Sequence, residues 1–299
     1  MSLQRTIRQA VTARGVGVHR GLEVSMTMRP APKNTGVVFR RTDVTPMISI
    51  PAISEYVVDT RLSTCLGKDG AQVSTIEHLL SAIYGLGIDN LYIDIDAPEV
   101  PIMDGSAVHF VFLLKAAGIV NQANSLKKYI RILKPVEVHL KDKSASLKPC
   151  DGFKLGFKID FNHPNILPKD SILRVDFSSL SFIHDIARAR TFGFIQDIEA
   201  LQMQNLALGG SLKNSIVLNE REIINPEGLR FVDEFVRHKI LDAIGDLALF
   251  GAQVIGEFEG FKSGHMMNNL LIKKVLSDDE AWELVSYDES LVSPVIFDV

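Results

Sequence analysis

Two α+β domains of like topology are the simplest reading of this 299-residue sequence. Three observations support it. The length suits about two domains at the usual ~150 residues each. Strand-like stretches and a helix recur in similar order in each half. A short internal match, Leu79-Leu80-Ser81-Ala82-Ile83 against Ile240-Leu241-Asp242-Ala243-Ile244, falls on a predicted helix followed by glycine and then a strand in both halves.

The elements of the first half follow from pattern. Val11 to His19 and Leu22 to Met28 alternate and are punctuated by Gly15, Gly17 and Gly21, as strands are. Arg29 to Gly36 is a proline-rich loop, and Val37 to Arg40 a further strand. A helix is expected from near Ser74, with Ile76, Leu79, Leu80 and Ile83 at i, i+3, i+4 and i+7. Ser74 through Glu77 reads as a capping box. Asn90 to Asp96 alternates as a strand, Ala97 to Ser106 is a turn-rich loop, and a second helix covers Ala107 to Ala117. The polar stretch Asn121 to Lys128 reads as a linker, which divides the chain into 1–126 and 127–299.

In the second half, strands are predicted at Tyr129–Leu133, Val136–Leu140, Phe153–Ile159 and Ser171–Phe177, a helix at Phe231–Leu247, and a strand at Gln253–Phe258. Arg190 to Val217 is long and apolar. It reads either as an amphipathic helix packed on its domain, the commoner case, or as an insert lining a channel for an apolar substrate.

Composition limits the function. Hydrophobic residues are 46% and charged residues 23%, the balance of a soluble globular chain. A net charge of −4 argues against broad nucleic-acid binding. Two cysteines, Cys65 and Cys150, match no zinc-ribbon spacing and fit a reducing compartment. The N-terminus lacks a signal-peptide apolar region and no run approaches the ~20 residues of a membrane span, so a cytoplasmic protein without membrane insertion is expected. A monomer is the default.

The chemistry centres on histidine and carboxylate. His238 and Asp242 are four apart on a predicted helix and leave one face together. Their ridge lies ~150° from the stripe Val236, Ile240, Ala243 and Leu247, and Asp246 continues it one turn on. Such a pair is more often a solvated surface pair than a ligand set, so a third ligand must come from elsewhere. Glu77-His78 is the best donor, offering one group to ligate and one to deprotonate water, although Glu77 also suits a helix cap. His265 follows a strand and a Gly-containing turn, which places it on a loop where a cation would stabilise an oxyanion. Histidines 19, 109, 139, 163 and 184 have no comparable carboxylate partner in sequence. Gly15 to Gly21 misses the dinucleotide fingerprint, and neither a phosphate-binding G-x-x-x-x-G-K-[ST] nor a nucleophile elbow occurs.

Further segments carry a family resemblance: Gly15-Val16-Gly17-Val18-His19, Glu77-His78-Leu79, Pro101-Ile102-Met103-Asp104-Gly105-Ser106, Asp160-Phe161-Asn162-His163-Pro164, Ala189-Arg190-Thr191-Phe192-Gly193-Phe194, Leu208-Gly209-Gly210-Ser211, His238 through Asp246 and Phe261-Lys262-Ser263-Gly264-His265. Over nearly its whole length the chain resembles the UDP-3-O-acyl-N-acetylglucosamine deacetylases, zinc amidases of lipid A biosynthesis in Gram-negative bacteria. The resemblance implies two similar β-α-α-β sandwich domains with the active site at their junction. It implies zinc (Fe²⁺ suits the same donors) on His78, His238 and Asp242, and Glu77 as general base. His265 would be cationic and oriented by Asp246, with Thr191 bonding the tetrahedral intermediate. Lys239, Lys262, Lys143, Asp160 and Phe161 would hold the diphosphate and uracil. Phe192, Ile198, Leu201, Gly210, Ser211 and Val217, within the insert near 192–217, would line the passage for the 3-hydroxyacyl chain. Two other functions compete: a metal-dependent amidohydrolase with another N-acetyl substrate, and a non-catalytic sugar-nucleotide-binding module.

Overall fold

A computed structural model of the chain describes residues 2–288 and 293–297. The protein is α+β, as the alternating strand and helix patterns require. The first half forms a five-stranded sheet in the order Val11–Val16, Glu23–Pro30, Leu91–Ile95, Val37–Arg41 and Ile48–Pro51. The strand Leu91–Ile95 lies antiparallel to Glu23–Pro30 and parallel to Val37–Arg41. Its residues Leu91, Ile93 and Ile95 point into the core at the period of two that the sequence shows.

The second half is built on the nine-residue strand Gln253–Phe261. Lys128–Ile132 pairs parallel with its first residues, while Lys143–Lys148 (antiparallel) and Phe153–Lys158 (parallel) flank the rest. Val136–Leu140, Ile172–Asp176 and Trp282–Ser286 complete seven strands.

The helices are α1 (Glu77–Gly85), α2 (Val108–Ala116), α3 (Ile195–Gln202), α4 (Glu234–Leu247) and α5 (His265–Leu276), with a short helical turn over 179–186. Every residue of α1 is buried, and on α4 only Arg237 and Lys239 reach partial exposure. The two helices lie against each other, and the contact depends on Gly245. A Cβ there would stand 2.0 Å from the Glu77 carbonyl oxygen. One contiguous apolar cluster runs from Ile7 to Phe297 through both halves.

Three expectations are corrected. The stretch read as a linker is the strand Ile119–Leu126, paired antiparallel with Leu3–Ile7. Two of its polar side chains find protein partners: Gln122 donates to the Ala31 carbonyl and Asn121 accepts from Arg5. Lys127, which follows it, is buried with its ammonium 2.6 Å from Asp89. His265 does not lie on a loop but opens α5, whose Met267, Leu271 and Val275 form a buried stripe. The capping box does not form, because α1 starts at Glu77 with Ile76 as its cap and no side-chain cap bond. Among the described residues, no helix is long and apolar enough to cross a membrane.

Candidate active site

The two central helices carry the three candidate ligands. His78 occupies the first turn of α1, while His238 and Asp242 sit one turn apart on α4. Their ligand atoms all lie within 4.8 Å of one another, and all three residues are buried. His238 Nε2 is 3.3 Å and His78 Nε2 3.6 Å from Asp242 Oδ1. The helical spacing that put His238 and Asp242 on one face is therefore real. The ridge does not face solvent, however. It is turned toward α1, away from the apolar stripe, so both faces of α4 are covered.

The donor set fits a divalent cation. His238 Nδ1 donates to the Ala189 carbonyl at 3.0 Å, which leaves the lone pair on Nε2 toward Asp242. Burial pushes the His238 imidazole down to about 3, so it is neutral at pH 7. Asp242 is held well below the usual carboxylate range, against its burial, by the imidazoles and the Lys239 ammonium around it. A neutral imidazole and an ionised carboxylate are the forms a metal requires.

Two further groups flank this trio. Burial raises the Glu77 carboxyl above the usual range, against the pull of His265 and His78. Its side chain does not cap the helix; Oε2 accepts the Thr64 backbone N–H at 3.0 Å. Burial opposes charge on His265, but Asp246 and Glu77 outweigh it and push that imidazole up to about 9. His265 Nδ1 donates to Asp246 Oδ2 at 2.9 Å.

All of these open onto, or stand just behind, one cavity of about 810 Å³. Glu77, His78, His238, Asp242, Lys239, His265 and Thr191 line it, with Lys143, Asp160, Phe161 and Lys262 on the second-half side and Phe192, Ile198, Leu201, Gly210, Ser211 and Val217 from the insert. Asp246 is the one expected site residue outside the lining, and it stands behind His265, which it binds. The insert is neither a single helix nor a loop. Phe192–Phe194 and Ile216–Leu218 pair in parallel, with α3 between them. Its far end is pinned to the first half, since Leu208 and Gly209 donate to the carbonyls of His19 and Val18. Phe161 rests edge-on against Phe192 at 5.5 Å.

Two of the lysines are already engaged. Lys239 donates to Asp242 at 2.6 Å, and Lys262 lies 2.7 Å from Asp160 and 2.9 Å from Asp142. Several cavity or supporting residues escaped sequence reasoning. His19 lines the cavity although it has no carboxylate near it in sequence, because Glu99 reaches its backbone N–H from 80 positions away. Thr64 and Asn268 bind Asp246 and carry no motif of their own.

Comparison with known proteins agrees with this geometry. Residues 4–277 match the model of the family described as UDP-3-O-acyl N-acetylglycosamine deacetylase. A protein named UDP-3-O-acyl-N-acetylglucosamine deacetylase from Shewanella halifaxensis (strain HAW-EB4) is 52% identical over 300 residues, covering 100% of this chain and 98% of its own. Proteins of the same name from Shewanella frigidimarina (strain NCIMB 400) and Marinobacter nauticus (strain ATCC 700491 / DSM 11845 / VT8) are 53% and 52% identical, each covering 99% of this chain and 97% of their own. With the match running through both halves and every segment that carries the buried trio, this chain belongs to the UDP-3-O-acyl N-acetylglycosamine deacetylase family.

Proposed function

We propose that the protein hydrolyses the N-acetyl amide of UDP-3-O-(3-hydroxyacyl)-N-acetylglucosamine, releasing acetate and the free amine, the committed step of lipid A biosynthesis. The observation that carries this is the buried trio His78, His238 and Asp242 opening onto an apolar cavity between Glu77 and His265. Those three side chains would hold a zinc ion, which when bound polarises the amide carbonyl and lowers the pKa of water. Iron(II) suits the same donors.

Glu77, whose proton affinity burial has raised, takes the proton from the attacking water. His265 is cationic up to about pH 9, stabilises the developing oxyanion and delivers a proton to the departing amine, with Asp246 fixing its ring. Thr191 bonds the tetrahedral centre from the cavity wall. Lys239, Lys262 and Lys143, with Asp160 and Phe161, hold the diphosphate and uracil. Phe192, Ile198, Leu201, Gly210, Ser211 and Val217 enclose the acyl chain. We read the chain as two domains, 1–126 and 127–299, a boundary supported by the strands Ile119–Leu126 and Lys128–Ile132 belonging to different sheets. A cytoplasmic monomer is the matching expectation.

Metal analysis with acetate-release kinetics on the wild type and His78→Ala tests the reading. The variant should lose metal and turnover together. Full metal content and rate would place the chemistry elsewhere, and acetate released equally from an unacylated sugar nucleotide would assign another substrate.

A further inference from the structure

Asp246 is 1% exposed, and both of its carboxylate oxygens are engaged. Oδ1 accepts the Thr64 hydroxyl at 2.6 Å. Oδ2 accepts His265 Nδ1 at 2.9 Å and the Asn268 amide at 2.8 Å. The same Thr64 donates its backbone N–H to Glu77 Oε2 at 3.0 Å. One buried residue thus binds both the Glu77 carboxylate and the carboxylate that holds His265. We infer that Thr64 is a positioning residue that locks Glu77 and the Asp246–His265 pair into a single frame. This rests on the roles proposed above for those three groups.

The arrangement suits the task. A carboxylate offers about four lone-pair directions, and one held only by a histidine is free to swivel. Thr64 and Asn268 grip Asp246 from opposite oxygens. Ser263 donates to Asn268 Oδ1 at 2.7 Å, which fixes that amide with its nitrogen toward Asp246. Thr64 immediately precedes the strand Cys65–Lys68, which pairs on both sides with Val57–Asp59 and Ala71–Val73. Its β-branch restricts χ1, so the hydroxyl is aimed without being searched for. Thr64 is not among the residues lining the cavity, so its effect must pass through the groups it holds.

The test compares Thr64→Val, which keeps shape and backbone N–H but removes the hydroxyl, with Thr64→Ser, which restores it. Losing a bond to an ionised carboxylate should lower kcat of Thr64→Val about tenfold or more, with KM little changed. The basic limb of its pH profile should move by about half a pH unit or more. That limb reports His265 among the charged and titratable groups around it: Asp246, Glu77, Asp242 and His19. Thr64→Ser should recover both rate and profile. A wild-type kcat and profile in Thr64→Val overturns the inference, as does a folded Thr64→Ser that repairs neither. Should Thr64→Val not fold, Thr64→Ala is judged by the same criteria. His265→Ala separates the two levels: if it turns over normally, the underlying roles fail and the inference with them. If it is inactive while Thr64→Val is normal, only Thr64 loses its role.

Discussion

Glu234→Gln should destabilise the protein by about 3 kcal/mol and weaken metal binding. Glu234 is fully buried at the start of α4, one turn before His238, and it faces the buried guanidinium of Arg190. Its Oε1 accepts the Arg190 backbone N–H and Nε; its Oε2 accepts the Arg230 backbone N–H and Arg190 Nη2. A glutamine amide must turn its NH₂ toward one of these pairs of donors. With nitrogen in the Oε2 position, Arg230 loses its acceptor while Arg190 Nη2 keeps the Gly228 carbonyl. Breaking a buried ion pair costs about 3–5 kcal/mol. Here the half-exposed Glu227, 2.8 Å from Arg190, still offsets part of the charge, which sets the low end of that range. For a chain of this size, about 3 kcal/mol lowers Tm by about 5 °C. The functional consequence follows from position, because Arg190 lies between Ala189, whose carbonyl orients His238, and Thr191, which lines the cavity. Loosening that carbonyl should weaken metal affinity about 10- to 100-fold, the usual cost of losing an outer partner. Thermal denaturation followed by circular dichroism and a chelator-competition titration read the two effects. A Tm within about 2 °C of wild type together with unchanged metal affinity would refute both the energetic and the positional argument.

Gly245→Ala places a methyl against the Glu77 backbone, which cannot rotate away, so α1 and α4 must part. Overpacking of this kind costs about 1–3 kcal/mol, and a misplacement of about 1 Å between Glu77 or His78 and α4 should lower kcat about 100-fold; wild-type Tm and kcat would contradict the close approach. His265, with its pKa raised to about 9 from an ordinary value near 6.5, stabilises the fold fully below about pH 6.5, and that contribution disappears as pH rises through 9. On metal-free protein, the wild type should thus lose on the order of 3 kcal/mol between about pH 6 and 10 that His265→Gln does not lose; parallel urea-unfolding curves across that range would reject the assignment. Substrates with progressively shorter acyl chains should lose about 0.8 kcal/mol, or roughly fourfold in kcat/KM, per methylene withdrawn from the insert. A flat series in acetate-release assays would remove the insert from substrate binding.

Much of the fold was legible because its strands and helices obey simple periods. Leu91–Ile95 alternates, Val37–Arg41 opens with two β-branched valines, and α1 shows its apolar stripe. The misses share a cause. Lys143–Lys148 and Trp282–Ser286 are too polar or too mixed to read as strands alone, and they become strands because Gln253–Phe261 and Lys128–Ile132 offer them free edges. Ile119–Leu126 looked like a linker for the same reason: its partner Leu3–Ile7 lies more than a hundred residues away in sequence. By contrast, α5 was there to be read, since Met267, Leu271 and Val275 keep helical spacing. The turn at Ser263-Gly264 distracted from it.

The site shows a different limit. Spacing correctly joined His238 to Asp242, yet an i,i+4 pair on a solvated face would remain an ordinary surface pair. What makes this pair a candidate ligand set is its surroundings. Burial holds His238 neutral, down to about 3, and the cations and imidazoles around Asp242 keep it ionised despite the same burial. Those surroundings come from α1 pressing on α4 through Gly245, which leaves no periodic signature in either helix. The helical wheel of α4 marks one apolar stripe and leaves the opposite ridge polar, as expected for a helix with a single buried side. A second buried side is visible only once another helix is known to cover it. Asp246 makes the point most sharply: its partner Thr64 lies 182 positions away, and no local pattern links them. Spacing can nominate candidate ligands, but only the packing of α1 against α4 supplies the low dielectric that gives them their chemistry.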